Sequence, residues 1–322
     1  SDMLLDNFTR PWTKWAHDHG VTTRNQAHGS PGNLIDLYAA ADIPEIENFY
    51  LNSFGINGLR NDLGFYKKAL SSKATLKYAS SAAHITGKPL TSSESMTWLT
   101  EHFRTSLSQI KPELDLLFTS GVNHVLFHGT TYSPREATWP GWKFYAAIDM
   151  SPTNSIWHDA PSMMKYIERV QSFMQMGQPD NDVLVYAPFA YTMKTKYATF
   201  ANRLLLFDIN TMSSKMSELE TCVNNLETMG LDCDYTSERF LMTTNYVDGL
   251  LKTAAGTTYK ALVVPVSSNL PDSVKVHLEE LTAAGATVVY GNTIADLGAL
   301  NVKPEGLRAE YGLSVIRRSN EH

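Results

Sequence analysis

The sequence predicts an α/β fold in which parallel strands alternate with helices. Short apolar segments bounded by turn residues recur along the chain, and segments with apolar residues at helical spacing lie between them. Polar residues gather directly after several predicted strands, as they do at the carboxyl-terminal edge of a parallel sheet. We predict two domains, residues 1–155 and residues 156–322, because a second series of strands and helices follows a break near residue 155.

The first domain is predicted to alternate helices and strands. Aromatic and apolar residues at helical spacing predict a helix over residues 8–19 that ends at Gly20. Pro44 disfavours a helix at Ile43 and predicts an extended or loop conformation for residues 41–49. The remaining predicted strands are residues 21–29, 76–84, 89–95 and 122–133, and the remaining predicted helices are residues 34–41 (or a buried turn), 65–73, 96–110 and 111–120.

The second domain contains the clearest parallel-strand signals. Residues 259–267 and 286–291 are continuous apolar runs, which are typical of strands buried on both faces. Pro271 suits the first turn of the helix predicted between them, and Gly285 suits its end. Upstream, we predict helices over residues 161–176 and 216–229 and a strand over residues 181–189.

Composition and charge exclude several classes of protein. The chain has 322 residues, a net charge of −6 and no long run of Lys or Arg, so we expect no binding to nucleic acid. No segment approaches about eighteen consecutive apolar residues, so we expect no membrane span, and the first residues lack a signal-peptide pattern. The aromatic content of 11% fits a carbohydrate site and a bulky core about equally.

The motifs of several common sites are missing from the sequence. Neither GxGxxG nor GxxxxGK[ST] occurs, so we expect no nucleotide or redox cofactor. GxSxG is also missing, which disfavours a common α/β-hydrolase, and without HExxH a zinc site is disfavoured. Cys222 and Cys233 do not have a metal-binding spacing. They form either a local disulfide or two buried free thiols, and we favour the thiols.

Two acidic clusters contain the candidate catalytic residues. Asp42, Glu45 and Glu47 lie in the predicted extended segment, and Glu94 lies where a predicted strand ends and a helix begins. Two carboxyl groups, one protonated and the other ionised, are what the cleavage of a glycosidic bond requires. The alternatives are a solvated acidic face for Glu45 and Glu47, and a partner of the helix dipole for Glu94.

Histidines and tryptophans near these clusters are candidate sugar ligands. His28, His84 and His128 each follow a predicted strand, where an imidazole can bond to a sugar hydroxyl or have a purely structural role. Trp98 and Trp142 offer rings that can stack on the apolar face of a sugar. These residue types together favour a carbohydrate as the binding partner.

Four segments of the first domain resemble glycoside hydrolase family 106, the α-L-rhamnosidases. They are RNQAHGSPGNLIDLYAAADIPEIE, KYASSAAHITGKPLTSSESMTWLTEHF, IKPELDLLFTSGVNHVLFHGTTYSP and WPGW. The resemblance implies an inverting hydrolase that removes terminal L-rhamnose from plant polysaccharides or glycosides, in the periplasm or outside the cell. It also implies a (β/α)8 TIM-type barrel, of which this chain holds only the C-terminal part.

The family resemblance also suggests roles for individual residues. Carried over by motif, the acid falls on Glu45 or Glu47, and Glu94 is the candidate second carboxylate, with Glu136 as a substitute. Some members hold a calcium ion, for which Asp42 and Glu45 are the candidate oxygen ligands, although no EF-hand spacing supports it. The region after residue 155 resembles the flavodoxin-like amidotransferase domain of related hydrolases, without its catalytic cysteine.

Two other functions are compatible with the sequence. A carbohydrate-binding or scaffold protein without catalysis would bind sugar and release no product. A retaining glycosidase of another specificity would hold its carboxyl groups about 5–5.5 Å apart, whereas an inverting enzyme needs about 6.5–9.5 Å to admit a water. The relative positions of Glu45, Glu47 and Glu94 are therefore the observation that separates these functions.

Overall fold

The computed structural model describes residues 2–60, 62, 72–146, 148–195, 207–209 and 211–303. Most of the helix predicted over residues 65–73 lies outside these ranges. Within them, no helix combines the length and the apolar composition needed to cross a bilayer. The chain begins with α1 (Asp2–Leu4), a π-helix (Leu5–Thr9) and α2 (Arg10–Asp18), which confirms the helix predicted over residues 8–19.

Four parallel strands form the first sheet, and a helix lies in each connection between them. In chain order, the elements are β1 (Arg24–Asn25), α3 (Leu34–Ala39), β2 (Ile43–Phe49), α4 (Lys73–Ile85), β3 (Ser92–Thr97), α5 (Leu107–Thr119) and β4 (His124–Phe127). The strands lie in the order β1-β2-β3-β4, so their carboxyl ends share one edge. This sheet is open and does not close into a barrel within the described residues, and its origin as part of a (β/α)8 barrel stays a prediction.

The segment 76–84, predicted as a strand, is the middle of helix α4. Ser72 caps this helix by accepting a hydrogen bond from the Thr75 backbone N–H, and several alanines add high helix propensity. Nearly all its side chains are buried, because β2 packs against α4 on one side and the second parallel sheet packs on the other. A segment buried on all sides shows no periodicity, so the sequence alone does not separate helix from strand here.

A β-bulge in β3 decides which side chains share a face of the sheet. Glu47 of β2 pairs with Glu94 of β3, but Phe49 pairs with Thr97, so β3 contains one extra residue. Met96, with a φ of 68°, takes a left-handed conformation at this point. Thr97 therefore returns to the Glu94 side of the sheet. The helix predicted over residues 96–110 is wrong for residues 96–106: residues 96 and 97 belong to β3, residues 98–106 form a connection, and α5 begins at Leu107.

A second parallel sheet and a small antiparallel one follow. The helices are α6 (Ala160–Met176), α7 (Phe189–Thr195), α8 (Met212–Lys215), α9 (Ser217–Thr228), α10 (Glu238–Leu241), α11 (Asp272–Ala283) and α12 (Ile294–Leu297), with short 3-10 helices at Ser155–His158 and Gly298–Leu300. The strands are β5 (Val183–Tyr186), β6 (Cys233–Thr236), β7 (Asn245–Val247), β8 (Leu250–Lys252), β9 (Thr258–Tyr259), β10 (Ala261–Val264) and β11 (Thr287–Tyr290).

The order of the second parallel sheet is β11-β10-β5-β6, and β7, β8 and β9 form the antiparallel sheet. If β5, β6, β10 and β11 are numbered 1 to 4 in chain order, their spatial order starting from β6 is 2-1-3-4. This is the order of the first four strands of a flavodoxin-like sheet. These elements confirm the helices and strands predicted after residue 155. The amidotransferase-like assignment and the domain boundary at residue 155 stay predictions.

Helix α4 joins the two parallel sheets. The Tyr235 hydroxyl of β6 donates a hydrogen bond to the Ala74 carbonyl of α4 at 2.9 Å. Lys77 of α4 is fully buried, and its ammonium lies 3.1 Å from Asp232. Burial alone would lower the pKa of Lys77, but the charges of Asp232 and Asp234 outweigh it and raise this pKa. The lysine therefore stays charged in the interior between the sheets.

Cys222 of α9 and Cys233 of β6 are buried free thiols, as the sequence favoured. Burial raises the pKa of the Cys222 thiol to about 12 and raises the pKa of Cys233 well above its ordinary value. A thiol with so high a pKa is a poor nucleophile at neutral pH, so neither residue supplies a reactive cysteine.

Candidate active site

The strand register places three carboxylates on one face of the first sheet. Glu45 and Glu47 are two residues apart on β2 and so point to the same face. Glu94 on β3 pairs directly with Glu47, and side chains paired across neighbouring strands share a face. We call the surface formed by Glu45, Glu47 and Glu94 the acidic face. Glu94 lies in the interior of β3 and does not begin a helix, so the helix-dipole alternative for this residue is wrong.

Gln26, directly after β1, links two of these carboxylates. Its Nε2 donates hydrogen bonds to Glu94 Oε2 at 2.5 Å and to Glu45 Oε1 at 3.2 Å. Because one nitrogen contacts both oxygens, those two oxygens are closer to each other than the lower limit of about 6.5 Å for an inverting carboxyl pair. Glu45 and Glu94 thus share a single small site although 48 residues separate them in the sequence.

Glu45 accepts hydrogen bonds from two side chains and forms an ion pair with a third. Besides Gln26, the Arg24 guanidinium lies 3.1 Å from Glu45 Oε2, and the Ser92 hydroxyl donates to the same oxygen at 2.8 Å. Hydrogen bonds donated to a carboxylate, and a nearby positive charge, both favour its ionised form. This arrangement suits a carboxyl group that stays charged.

Glu47 has a different set of partners, which ends in a tyrosine. Its Oε2 lies 3.2 Å from His28 Nε2, and His28 Nδ1 lies 2.9 Å from the Tyr38 hydroxyl. If the Tyr38 hydroxyl donates to Nδ1, the proton of the neutral His28 ring is on Nε2, and this N–H then donates to Glu47. The imidazole therefore fixes the orientation of Glu47. His28, predicted as a sugar ligand, lies beside the acidic face in this role.

Glu94 is the carboxylate that a ligand can reach most easily. Its side chain is 31% exposed, compared with 9% for Glu45 and 11% for Glu47. The Thr97 hydroxyl donates to Glu94 Oε1 at 3.3 Å, and His128 Nε2 lies 3.9 Å from the same oxygen. The other ring nitrogen of His128, Nδ1, is buried and has no hydrogen-bond partner in the described part of the chain.

Exposed aromatic rings lie in the segment after β4. The ring of Phe144 lies 5.2 Å from that of His128, which connects this segment to the acidic face. Trp139 and Trp142 are both exposed, and although Trp139 lies against Phe103 and Trp142 against Tyr132, each ring keeps surface on which a flat ligand can stack. Glu136 lies in the same segment and is exposed. It has no hydrogen bond or ion pair to any described residue, and the structure does not bring it onto the acidic face.

Trp98 does not face a sugar site, contrary to the sequence prediction. Its side chain is fully buried, and its Nε1 donates to Asn48 Oδ1 at 3.0 Å. Simple alternation would place Trp98 on the same face as Glu94, four residues earlier. The bulge at Met96 shifts the alternation by one residue and turns Trp98 to the opposite, helix-covered face. An indole without exposed surface has no face on which a sugar can stack.

His84 is also placed differently from the prediction. It lies near the end of helix α4, and its Nδ1 is 2.9 Å from Asp234 of β6. The Tyr259 hydroxyl donates to the same carboxylate at 3.0 Å. His84 therefore stabilises the contact between the two sheets, and it is not among the residues around Glu94.

Asp42 precedes β2 and does not join the acidic face. Its carboxylate accepts hydrogen bonds from the Thr23 backbone N–H at 2.7 Å and the Thr23 hydroxyl at 3.0 Å, and lies 2.9 Å from His17 Nε2. Burial alone would raise the pKa of Asp42, but these partners hold it below its ordinary value. Across the described ranges, no group of three or more His, Cys, Asp or Glu side chains could hold a metal. Calcium bound by Asp42 and Glu45 stays a prediction that this geometry does not favour.

Gln26, Arg24 and Ser92 are site residues that sequence reasoning missed. A signal for two of them was present, because Arg24, Gln26 and His28 alternate along an extended segment just as Glu45 and Glu47 do. The side chains at those alternate positions share a face with their neighbours once the strands pair in parallel. Ser92 needs the register itself, since it faces Glu45 only through the pairing of β2 with β3.

Comparison with known proteins shows similarity to glycoside hydrolases. A family model described as alpha-L-rhamnosidase matches residues 1–302. A protein of Formosa agariphila named "Putative beta-glucuronidase" is 25% identical over 292 residues, which is 89% of this chain and 21% of that protein. A solved rhamnosidase structure from Novosphingobium sp. PP1Y superposes with a TM-score of 0.62 at 19% identity, over 93% of this chain and 27% of that one. The chain thus spans about a quarter of the length of these two relatives, and the last match shows a shared fold.

Proposed function

The chain belongs to the α-L-rhamnosidase family, glycoside hydrolase family 106, and from this premise we propose that its acidic face hydrolyses the bond to a terminal α-L-rhamnose in plant polysaccharides or glycosides. The observation that carries the proposal is the shared site of the three carboxylates: Glu47 pairs with Glu94 across neighbouring strands, and the Gln26 amide bonds to Glu94 and Glu45 at once. Two carboxyl groups in one site are the minimum that this reaction requires. The family and its substrates support a periplasmic or extracellular location, which we include in the proposal.

We assign a different role to each carboxylate. Glu45 is the better candidate for the charged carboxylate, because Gln26 and Ser92 donate hydrogen bonds to it and the Arg24 guanidinium lies 3.1 Å away. Glu47 is therefore the better candidate for the proton donor, since it lacks a neighbouring Arg or Lys within ion-pair distance among the described residues. Glu94 is the candidate base, because it is the most exposed of the three and can reach a water molecule.

In the proposed inverting reaction, the glycosidic C–O bond breaks while the leaving oxygen takes the proton of Glu47. A water molecule attacks the anomeric carbon from the opposite side, and Glu94 accepts the proton that this water loses. The products are free rhamnose with inverted anomeric configuration and the leaving alcohol. We derive these steps from the carboxylates alone, because Asp42 is bound to Thr23 and His17 and joins no group of three or more metal-ligating side chains among the described residues.

A retaining reaction is the second candidate, and the short Glu45–Glu94 separation favours it. In that case one carboxylate attacks the anomeric carbon, and the other first protonates the leaving oxygen and then activates water. The nucleophile would be Glu45, because it has two hydrogen-bond donors and the Arg24 guanidinium beside it, and the acid would be Glu94. The anomer of rhamnose that forms first distinguishes the two reactions.

The test uses the chain itself with p-nitrophenyl α-L-rhamnopyranoside as substrate. We expect release of p-nitrophenol, an inverted first anomer by ¹H NMR, and loss of at least about a hundredfold in kcat for Glu94→Gln, since general acid–base residues contribute roughly 10²–10⁴-fold. Glu136→Gln is the matched control and should retain its activity, because Glu136 is exposed and lies off the acidic face. Saturable binding of rhamnose without any release of p-nitrophenol would instead support a carbohydrate-binding protein.

A further inference from the structure

A cavity of about 950 Å³ lies at the amino-terminal ends of the strands, away from the acidic face. Its lining includes Thr91, Asn123 and Asp232, which directly precede β3, β4 and β6. None of Gln26, Glu45, Glu47 or Glu94 lines it. Its volume is at the upper end of the range of about 300–1,000 Å³ that is typical of small-ligand sites.

One wall of this cavity is basic and elongated. Lys73, Lys77 and His84 line it from helix α4, and Lys88 follows shortly after the helix. Residues 73, 77 and 84 are spaced so that they fall on one side of a helix. From residue 73 to residue 84 the helix rises by about 16 Å, which is long enough for two or three sugar rings or a short peptide.

Lys88 is the cationic group of this wall that is available to a ligand. Lys73 and Lys77 lie 3.6 Å and 3.1 Å from Asp232, and His84 pairs with Asp234. Lys88 is half-buried, and among the described residues no carboxylate lies within ion-pair distance of it. Burial lowers the pKa of Lys88, and the negative charge of the more distant Asp42 raises it by a smaller amount. A bound anion would therefore stabilise this partly desolvated ammonium group.

Other lining residues of the cavity are of the types that commonly bind sugars. Phe173 near the end of α6 is exposed, and an exposed ring can stack on the apolar face of a pyranose. Gln178 and Asn224 line the same cavity and are exposed, so their amides can bond to hydroxyl groups. Asp180 and Glu227 also line the cavity and limit its positive charge, so a ligand with one or a few carboxylates fits better than a polyanion.

We infer that this cavity is a second carbohydrate site, which binds an acidic oligosaccharide of two or three rings with one carboxylate on Lys88. The site shares no residue with the acidic face, so it is independent of the proposed hydrolase function. Acidic sugar and acidic peptide could both use Lys88, but the exposed Phe173 and the amides favour the sugar.

The experiment measures binding of trigalacturonic acid to the full chain by isothermal titration calorimetry at low salt. Maltotriose serves as the neutral trisaccharide of the same linkage type. We expect saturable binding of the acidic sugar, at least about tenfold weaker binding for Lys88→Met, and recovery for Lys88→Arg, because one charge-assisted hydrogen bond is lost and then restored. Lys14→Met removes an exposed lysine of α2 outside the cavity and should leave binding unchanged.

Three results would overturn the inference. They are the absence of saturable binding of trigalacturonic acid, equal affinity of the parent chain and a folded Lys88→Met variant, and tighter binding of hexaglutamate than of the acidic sugar. Urea unfolding establishes that the Lys88→Met variant is folded. Glu94→Gln should bind trigalacturonic acid as the parent does, so failure of the hydrolase proposal would not affect this test.

Discussion

Glu113 is a fully buried carboxyl group on α5, and its replacement by glutamine is expected to remove much of the pH dependence of stability near neutrality. Its Oε1 accepts the Asn52 backbone N–H at 2.6 Å, and its Oε2 accepts the side-chain amides of Asn52 at 3.0 Å and Asn48 at 3.2 Å. These three donors lower the pKa of Glu113. Burial raises it and is the larger effect, so this pKa rises from 4.5 to about 7.

The magnitude follows from the difference between the folded and unfolded pKa values. A shift from 4.5 to about 7 corresponds to roughly 3 kcal/mol, at about 1.4 kcal/mol for each pKa unit. In the folded state Glu113 keeps its proton up to about pH 7, whereas the unfolded chain loses it near pH 4.5. The contribution of Glu113 to stability is therefore fully present below pH 4.5 and decreases as the pH rises through 7.

The assay is urea unfolding at several pH values between 5 and 8, followed by tryptophan fluorescence. We expect the midpoint for the parent chain to fall across this range, and the midpoint for Glu113→Gln to fall less, because an amide does not titrate. Glu279→Gln, an exposed site on α11, is the matched control and should keep the slope of the parent chain. Equal slopes for Glu113→Gln and the parent would show that the three donors keep Glu113 ionised, and would refute the reasoning.

Three further predictions concern the interior and the acidic face. Lys77→Met should lower the free energy of unfolding by about 3 kcal/mol, because Lys73, at 3.6 Å, is then the one cation within ion-pair distance of Asp232 among the described residues. A loss below about 1 kcal/mol in urea unfolding would contradict this. Gln26→Ala should fold normally but hydrolyse the aryl rhamnoside at least about tenfold more slowly, since it removes the amide between two carboxylates; an unchanged kcat would show that this contact has no catalytic importance. Treatment with EDTA should leave hydrolysis unchanged, and loss of activity that calcium restores would show that a metal site exists beyond Asp42.

Much of the fold could be predicted from the sequence where an element is a short apolar run bounded by turn residues or has one polar and one apolar face. Short apolar runs indicate buried strands at β5, β10 and β11. Apolar residues at helical spacing indicate amphipathic helices at α6 and α9. Helix α4 could not be recognised in this way, because sheets on both of its sides bury nearly every residue and remove the polar face that marks a helix.

The acidic residues of the candidate site were predictable, but their surroundings were not. Alternation along β2 places Glu45 and Glu47 on one face, and this periodicity is a property of the sequence. Trp98 was placed on the wrong face because its orientation depends on the bulge at Met96. His84 was misplaced because its position depends on a contact with Asp234, which is 150 residues away. A bulge changes the alternation by a single residue and leaves no reliable mark in composition.

Helix α4 is part of the interior of both parallel sheets, so the stability of one sheet depends on the other. If either sheet detaches, it exposes alanines of α4 that are otherwise buried and separates the buried Lys77 from Asp232, so partial detachment is costly. Heating is therefore expected to melt both halves in a single cooperative event. Protease cleavage in the connection near residue 155 should likewise yield two fragments that remain together until denaturant separates them.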